Sequence, residues 1–292
     1  MSSSVEAVVV NYNSGDHLNL AVESLLNAGV EKIWIVDNGS TDGSVDLAAK
    51  GDPSVQVLTP GENLGYGKAV NFAFQRSGGK YFLVCNPDIE LDSDSVANMV
   101  VEIEGHGECA LVGPRILNSD DSIYPSVRRF PNLVDSAGHA LLGQFFPNNP
   151  FTRRYRLLDM DHKTSFAADW VSGACFLVRS DIFSQVGGFD PAFFMYLEDV
   201  YLCRQIGKLG YTVRYCGKAV VRHWQGVSTS KRPLTMIFAH HKSLWTYSKL
   251  TKTGWRKFEL PLVGIGIVVR LLVSLLIAVS KREIKKPRVD LI

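Results

Sequence analysis

Cysteine is scarce in this chain. The five present, at 85, 109, 175, 203 and 216 among 292 residues, include no C-x-x-C pair. That pattern argues against a disulfide framework or a structural zinc site and leaves a reducing compartment as the expectation. Glycine-rich phosphate loops are missing too. The first predicted strand runs into N-Y-N-S-G, with Gly15 its single glycine, so a G-x-G-x-x-G dinucleotide fingerprint is absent, as is a P-loop. The start, M-S-S-S-V-E-A, has no basic group, and the apolar run 7–10 is too short for a signal peptide. There is no internal repeat and no low-complexity block.

What is present suits a folded enzyme-sized unit. Hydrophobic residues make up 46% and charged residues 21%, which disfavours global disorder. The small net charge of +2 conceals an asymmetry: 249–292 hold ten Lys or Arg against three acids, whereas 1–248 hold 21 basic and 26 acidic residues. Only the tail is built for an anionic partner, and a nucleic-acid partner is not expected.

Short β-branched runs alternate with amphipathic stretches through the first half. Strands are expected at 5–12, 32–36, 55–58 and 81–85. Helices are expected at 18–26, from a cap at Asp42 through Ala49, at 67–76 and at 94–103. That alternation predicts an α/β fold with a mostly parallel sheet flanked by helices, binding ligands beyond the carboxyl ends of its strands. Asp37 and Asp88 both fall at such ends and are expected to meet over one crevice. From Leu117 to Phe166 prolines interrupt the pattern, and irregular structure is expected. A strand at 170–179, a short helix at 181–186, a helix at 199–209 and a strand at 212–216 follow, and V-V-R-H-W-Q-G-V-S-T-S is read as a loop.

The stretch V-C-N-P-D-I-E-L raises the question of why an apolar strand delivers a carboxylate just past a proline. Asn86-Pro87 fixes the turn that aims Asp88. A group leaving as a diphosphate needs its charge neutralised, and a hard cation held by one or two carboxylates plus substrate phosphates does this. A second acidic group, Glu198-Asp199, follows Phe193-Phe194-Met195-Tyr196. It is either a favourable helix start or a general base whose apolar surroundings raise its pKa. Taken singly, Asp37 in D-N-G-S-T-D is equally a turn former, His223 beside Trp224 a structural histidine, Tyr66 and the aromatics at 193–196 core, and Arg128-Arg129 a solvated face.

Taken together and in order, V-V-N-Y-N, V-D-N-G-S-T-D-G-S, N-x-G-Y-G-K-A-V-N, N-P-D, W-V-S-G-A, G-G-F-D-x-x-F-F-x-Y-x-E-D-V and H-x-x-G-x-S are specific. Over about residues 5–230 the chain resembles the family-2 glycosyltransferases of the GT-A fold, and most closely their rhamnosyltransferase-like branch. The resemblance implies inverting transfer from a nucleotide-diphosphosugar donor, dTDP-rhamnose for that branch, to a lipid-linked saccharide such as polyprenyl-diphosphate-GlcNAc. It implies Asp199 as the base with Glu198 supporting the acceptor side. Asn11, Asp37, Asn63, Gly65, Asn71, Asn86 and Asp88 would bind donor, with Asp37 on the nucleobase. Asp88 and His223 would hold Mg2+ or Mn2+, and Trp170, Gly173, Ala174, Arg128 and Arg129 would receive acceptor. Two departures stand out: Asn86 occupies the first position of the usual D-x-D, and Tyr201 replaces the last acid of E-D-V-D. A UDP-galactofuranose or UDP-hexose donor, a sugar-nucleotide pyrophosphorylase and a non-catalytic sugar-nucleotide-binding scaffold are the alternatives. The pyrophosphorylase lacks its basic Gly-rich loop at 11–17.

The tail holds a twenty-residue apolar run at 260–279 with Arg270 in its middle, followed by Lys281, Arg282, Lys285, Lys286 and Arg288. Its length allows a membrane span, but a central arginine in one is costly. The reading favoured is an amphipathic helix in the interface of an anionic, cytoplasm-facing membrane, making the enzyme peripheral; an oligomerisation helix is the alternative, and a homo-oligomer is compatible with it. The expected division is a catalytic domain at 1–248, with a donor half to about 116 and an acceptor half from 117, and a membrane-associating tail at 249–292.

Overall fold

The computed structural model describes residues 4–48, 51–131, 138, 146, 148–224 and 233–284. Four parallel strands open the fold: β1 (Val5–Asn11), β2 (Lys32–Asp37), β3 (Val55–Leu58) and β4 (Tyr81–Cys85). They are joined by α1 (His17–Asn27), α2 (Ser44–Ala48) and α3 (Tyr66–Phe74). There follow β5 (Ile89–Leu91), α4 (Ser95–Glu104), β6 (Cys109–Asn118), β7 (Val127–Arg128), α5 (Pro150–Tyr155), β8 (Phe166–Ala168), β9 (Trp170–Val171) and β10 (Cys175–Arg179). The chain continues through α6 (Ser180–Val186), α7 (Glu198–Lys208), β11 (Thr212–His223), α8 (Pro233–Thr251), a 3-10 segment (Gly254–Glu259) and α9 (Leu260–Ile284).

The main sheet runs β3-β2-β1-β4-β10-β6-β11-β5, with β8 also on β11. It is parallel from β3 to β4 and again between β6 and β11, while β10, β5 and β8 run antiparallel to their neighbours. The strands are apolar on both faces because both are covered. Along β1, Val5, Ala7 and Val9 pack with Leu18, Val22 and Leu25 of α1 and Met99 of α4. The alternate residues Val8 and Val10 pack with Ala69, Val70 and Ala73 of α3 and with Phe183 and Ile206 from α6 and α7. This is the two-residue period of a strand sorted into two cores.

Four local expectations change. The strand foreseen over 170–179 is two strands in different sheets, because at 172–174 the backbone turns aside. Ser172 N–H donates to Ser126 O at 2.7 Å, and Ala174 O accepts from Asn86 N–H at 2.8 Å. The loop foreseen after Cys216 is instead the second half of β11, where Val221–His223 pair with β5. Strand β6 was hidden by Gly113-Pro114 in its middle, since a proline cannot donate to a ladder. The pairing register of β11 on β6 slips between Cys216 and Val220, beside that proline. The stretch at 117–166, expected to be irregular, does contain short elements, β7 and α5.

Nor do the composition-based divisions match the elements. Residue 116 lies inside β6, and α8 runs unbroken across 248. Charge shifts mark where solvent or partner changes, not where a helix must stop. Ala49, Pro147, the 225–230 part of the late loop and Lys285, Lys286 and Arg288 lie outside the described residues.

Candidate active site

A cavity of about 800 Å3 opens at the carboxyl ends of β1, β4 and β9. Asp88 and Asp199 both line it, so the acid past the proline and the acid of the late motif face one space. Asn63, Gly65, Asn86, Arg128, Trp170, Gly173, Ala174, Glu198 and His223 line it as well.

Asp88 reaches the cavity because β4 ends at Cys85 and the Asn-Pro turn precedes β5. Antiparallel pairing of β5 with β11 sets His223 opposite Ile89, and the His223 imidazole Nε2 lies 3.1 Å from Asp88 Oδ1. Both residues are buried. The backbone closes the same corner: Trp224 N–H donates to Asp88 O at 3.0 Å. The other ring nitrogen, His223 Nδ1, is buried without a partner, and Tyr124 meets the ring edge-on at 5.7 Å.

The acid pair opens α7, and the residues before it are strained. Tyr196 (φ 71°) and Leu197 (φ 65°) are successive non-glycine residues in left-handed conformation, a geometry costing on the order of 1–3 kcal/mol each. The turn they make directs Glu198 and Asp199 into the cavity. Asp199 Oδ2 accepts the Gly173 N–H at 2.7 Å and Oδ1 accepts the Val200 N–H at 2.8 Å. Glu198 Oε2 is buried with no partner. Burial, then the neighbouring Asp199 charge, pushes Glu198 up to about 8. Burial also raises Asp199, against the pull of its two N–H donors and of the Arg128 charge. The two acids are placed differently: Glu198, whose Oε2 has no donor, is the harder to ionise, whereas two N–H donors favour the carboxylate form of Asp199.

Glycine at 173 permits this contact, for a Cβ there would sit 3.2 Å from Asp199 Cβ. Gly65 has φ +79°, and a Cβ on it would lie 2.3 Å from the Phe194 carbonyl, which accepts the Tyr66 N–H at 2.9 Å. Tyr66 then donates its hydroxyl to Gly173 O at 2.6 Å. The Gly65 turn and the backbone that holds Asp199 are thus one hydrogen-bonded unit.

Several expected residues do other work. Asn71 does not line the cavity; its amide clamps Phe189 in both directions, donating to O at 2.7 Å and accepting from N–H at 2.9 Å. Asn11 is fully buried and donates to Asp37, Ser40 and Ser44. Asp37 itself lies outside the lining: Oδ1 takes the Ser40 hydroxyl and Asn11, so it does not share the Asp88 cavity. Its neighbour Asn38 does line it, bonded to Gly65 O and Leu64 N–H. Arg129 contributes a carbonyl to Trp170 Nε1–H at 2.9 Å, while Arg128 lies over Trp170 at 5.1 Å from the ring centre. Of the late aromatics only Phe193 is core; Phe194 and Tyr196 face the cavity, as does the partly engaged Tyr66.

Sequence reasoning passed over the upper wall. His240 and Leu244 of α8 and Arg270 of α9 line the cavity with Tyr155. His240 is pressed down to about 3 by burial and then by the charges of Arg270, His241 and Arg128, so it stands neutral. The available signal was Arg270 itself, one cation in twenty apolar residues.

Residues 6–187 match the family described as Glycosyl transferase family 2. The chain belongs to that family. The glycosyltransferase is 36% identical over 268 residues to N-acetylglucosaminyl-diphospho-decaprenol L-rhamnosyltransferase of Mycobacterium tuberculosis, covering 87% of each chain. It is 25% identical to Rhamnosyltransferase WbbL of Escherichia coli over 72% of this chain and 80% of that one. The fold resembles the solved mannosyltransferase PcManGT from Pyrobaculum calidifontis in complex with GDP-Man and Mn2+, with TM-score 0.60, 16% identity, and coverage of 94% of this chain and 75% of that chain.

Proposed function

We propose that this glycosyltransferase moves L-rhamnose from dTDP-rhamnose onto a polyprenyl-diphosphate-linked N-acetylglucosamine, with inversion, at the cytoplasmic face of a membrane. The likeness to the mycobacterial enzyme over 87% of both chains carries the choice of sugar and acceptor. The shared cavity of Asp88 and Asp199 carries the chemistry.

Asp199 takes the proton of the attacking acceptor hydroxyl as the bond to the sugar C1 forms and the bond from C1 to the diphosphate breaks. Its fixed N–H donors aim the carboxyl group and favour its ionised form. Neutral Glu198 beside it is placed to bond the acceptor sugar. Among the described residues no group of three or more His, Cys, Asp or Glu is assembled. Asp88 and His223, one carboxylate and one imidazole, would hold a hard divalent ion, Mg2+ or Mn2+, with the donor phosphates. Such an ion supplies charge neutralisation for the departing diphosphate. Asn63, Gly65 and Asn86 form the donor side and Trp170, Gly173, Ala174 and Arg128 the acceptor side.

The segment Gly254–Val279 is long and apolar enough to cross a membrane, and none of its most apolar window is buried in the protein. We read it as the contact with an anionic bilayer. A panel of sugar nucleotides tested with farnesyl-diphosphate-GlcNAc, with and without EDTA, checks the whole reading. Transfer from dTDP-rhamnose that stops in EDTA is expected. Preference for a UDP-sugar would overturn the donor assignment, and turnover undiminished by EDTA the metal.

A further inference from the structure

Arg270 is a misfit in α9. Around it Leu262, Ile265, Val269, Leu272 and Leu276 are exposed and apolar, as a surface entering lipid must be. An arginine in that setting carries a penalty of at least about 2.5 kcal/mol if it faces hydrocarbon. It instead lines the catalytic cavity, together with Arg128. Among the described residues neither guanidinium has a carboxylate within ion-pair distance. Their charges converge on the same ring, His240, and that of Arg128 also bears on Asp199. Arg128 Nε donates to Pro125 O at 3.1 Å and its guanidinium lies over Tyr155 and Trp170, so its positive charge meets a neutral carbonyl and rings but no carboxylate. Two fork-shaped cations without a carboxylate partner, lining one cavity with the acid base, describe a receptor for a doubly phosphorylated anion, since guanidinium groups pair bidentately with phosphate.

We propose that Arg270 and Arg128 bind the diphosphate of the lipid-linked acceptor, and that its hydrocarbon chain leaves the cavity along the exposed apolar side of α9. The inference rests on the acceptor class assigned above. It adds that the membrane helix completes the active site rather than merely tethering it. The geometry suits the chemistry of such an acceptor, in which the diphosphate joins sugar to chain. With the sugar hydroxyl at Asp199, the phosphates fall one sugar away and the chain beyond them. The donor diphosphate belongs at the other end of the cavity, at Asp88 and His223.

The test uses the full chain and measures binding by tryptophan fluorescence, Trp170 lying in the cavity wall. The ligands are farnesyl-diphosphate-GlcNAc, the farnesyl ether of GlcNAc without phosphates, and dTDP-rhamnose. Arg270→Gln is expected to weaken the first by about tenfold or more, the loss typical of a charge-assisted contact. The ether and the sugar nucleotide should bind it within about twofold of the wild type, and Arg270→Lys should recover part of the loss. Equal weakening of phosphate-bearing and ether ligands, weakening of dTDP-rhamnose instead, or no weakening at all would each overturn the proposal. Should Arg270→Gln not fold, by circular dichroism, Arg128→Gln carries the same expectations. Diphosphate-selective binding that depends on Arg270 in a protein transferring no rhamnose would sink the sugar assignment alone and leave this inference standing.

Discussion

The floor and the upper wall of the cavity are built on opposite plans. On the floor each acid comes from the end of a strand or the start of a buried helix and is pinned: Asp88 by His223 at 3.1 Å, Asp199 by two backbone N–H groups. The wall is made of α8 and α9, side chains projecting from helices whose outer faces are exposed, and among the described residues its arginine, Arg270, has no carboxylate within ion-pair distance. The contrast teaches where order precedes substrate and where it awaits it. Proton transfer and leaving-group chemistry demand groups set in advance, whereas capture of a large lipid needs charge left unspent.

Breaking the floor should therefore damage turnover, and breaking the wall affinity. The largest effect is expected for Asp199→Asn, which keeps the shape but removes the base. kcat should fall by about 10²–10⁴-fold with donor Kd unchanged, measured by single-turnover transfer and by calorimetry with dTDP-rhamnose; retained turnover would move the base elsewhere. Next comes Asp88→Ala. It should weaken Mn2+-dependent donor binding by about 10–100-fold, the value of a lost charged contact, while donor binding measured in EDTA changes little. If titrations with and without the ion shift alike, the cation has been assigned to the wrong corner.

Glu198→Gln sharpens the comparison through pH. A buried carboxyl raised to about 8 in the fold, from near 4.5 in the unfolded chain, makes folding take up a proton. Its contribution is complete below about pH 4.5 and is lost progressively as pH rises to about 8, at up to about 1.4 kcal/mol per pH unit. Melting temperatures of wild type should drop across that window relative to Glu198→Gln; parallel curves would contradict the proton assignment. The smallest effect, about 1–2 kcal/mol, is expected for Tyr66→Phe, which strips the Gly173 carbonyl of its donor. Urea denaturation gives the stability change, and a loss in kcat exceeding the loss in donor affinity would show that the bond aligns Asp199.

Much of this was readable in the chain. Strict alternation of β-branched runs with helical stretches gave β1 to β4 and α1 to α4 nearly to the residue, since both faces of a covered parallel sheet must be apolar. Asp88, Glu198 and Asp199 were legible as cavity residues because short motifs specify a turn or a helix start, whereas His223 came only through the family resemblance, its strand having read as a loop. What escaped were features that depend on distant partners. Asn11 and Asn71 look like ligand-binding amides, but whether an amide faces a cavity or a backbone is decided by what folds against it, here Asp37 and Phe189. Strand β6 was disguised by its proline, and β5 is three residues long, too short for any period to show. Arg270 reads in the sequence only as a burden on an apolar helix, because nothing local says that α9 packs where its arginine lines the same cavity as Arg128.

The bond from Tyr66 to Gly173 has one more consequence. Burial lifts that phenol well above its ordinary value near 10, with the nearby acids adding to the effect, so the hydroxyl stays protonated throughout the physiological range. The frame that aligns the machinery is deaf to acidity, while the acid pair it serves is tuned to respond. Changes in proton concentration therefore reach this enzyme through its acid pair and not through the bond that frames it.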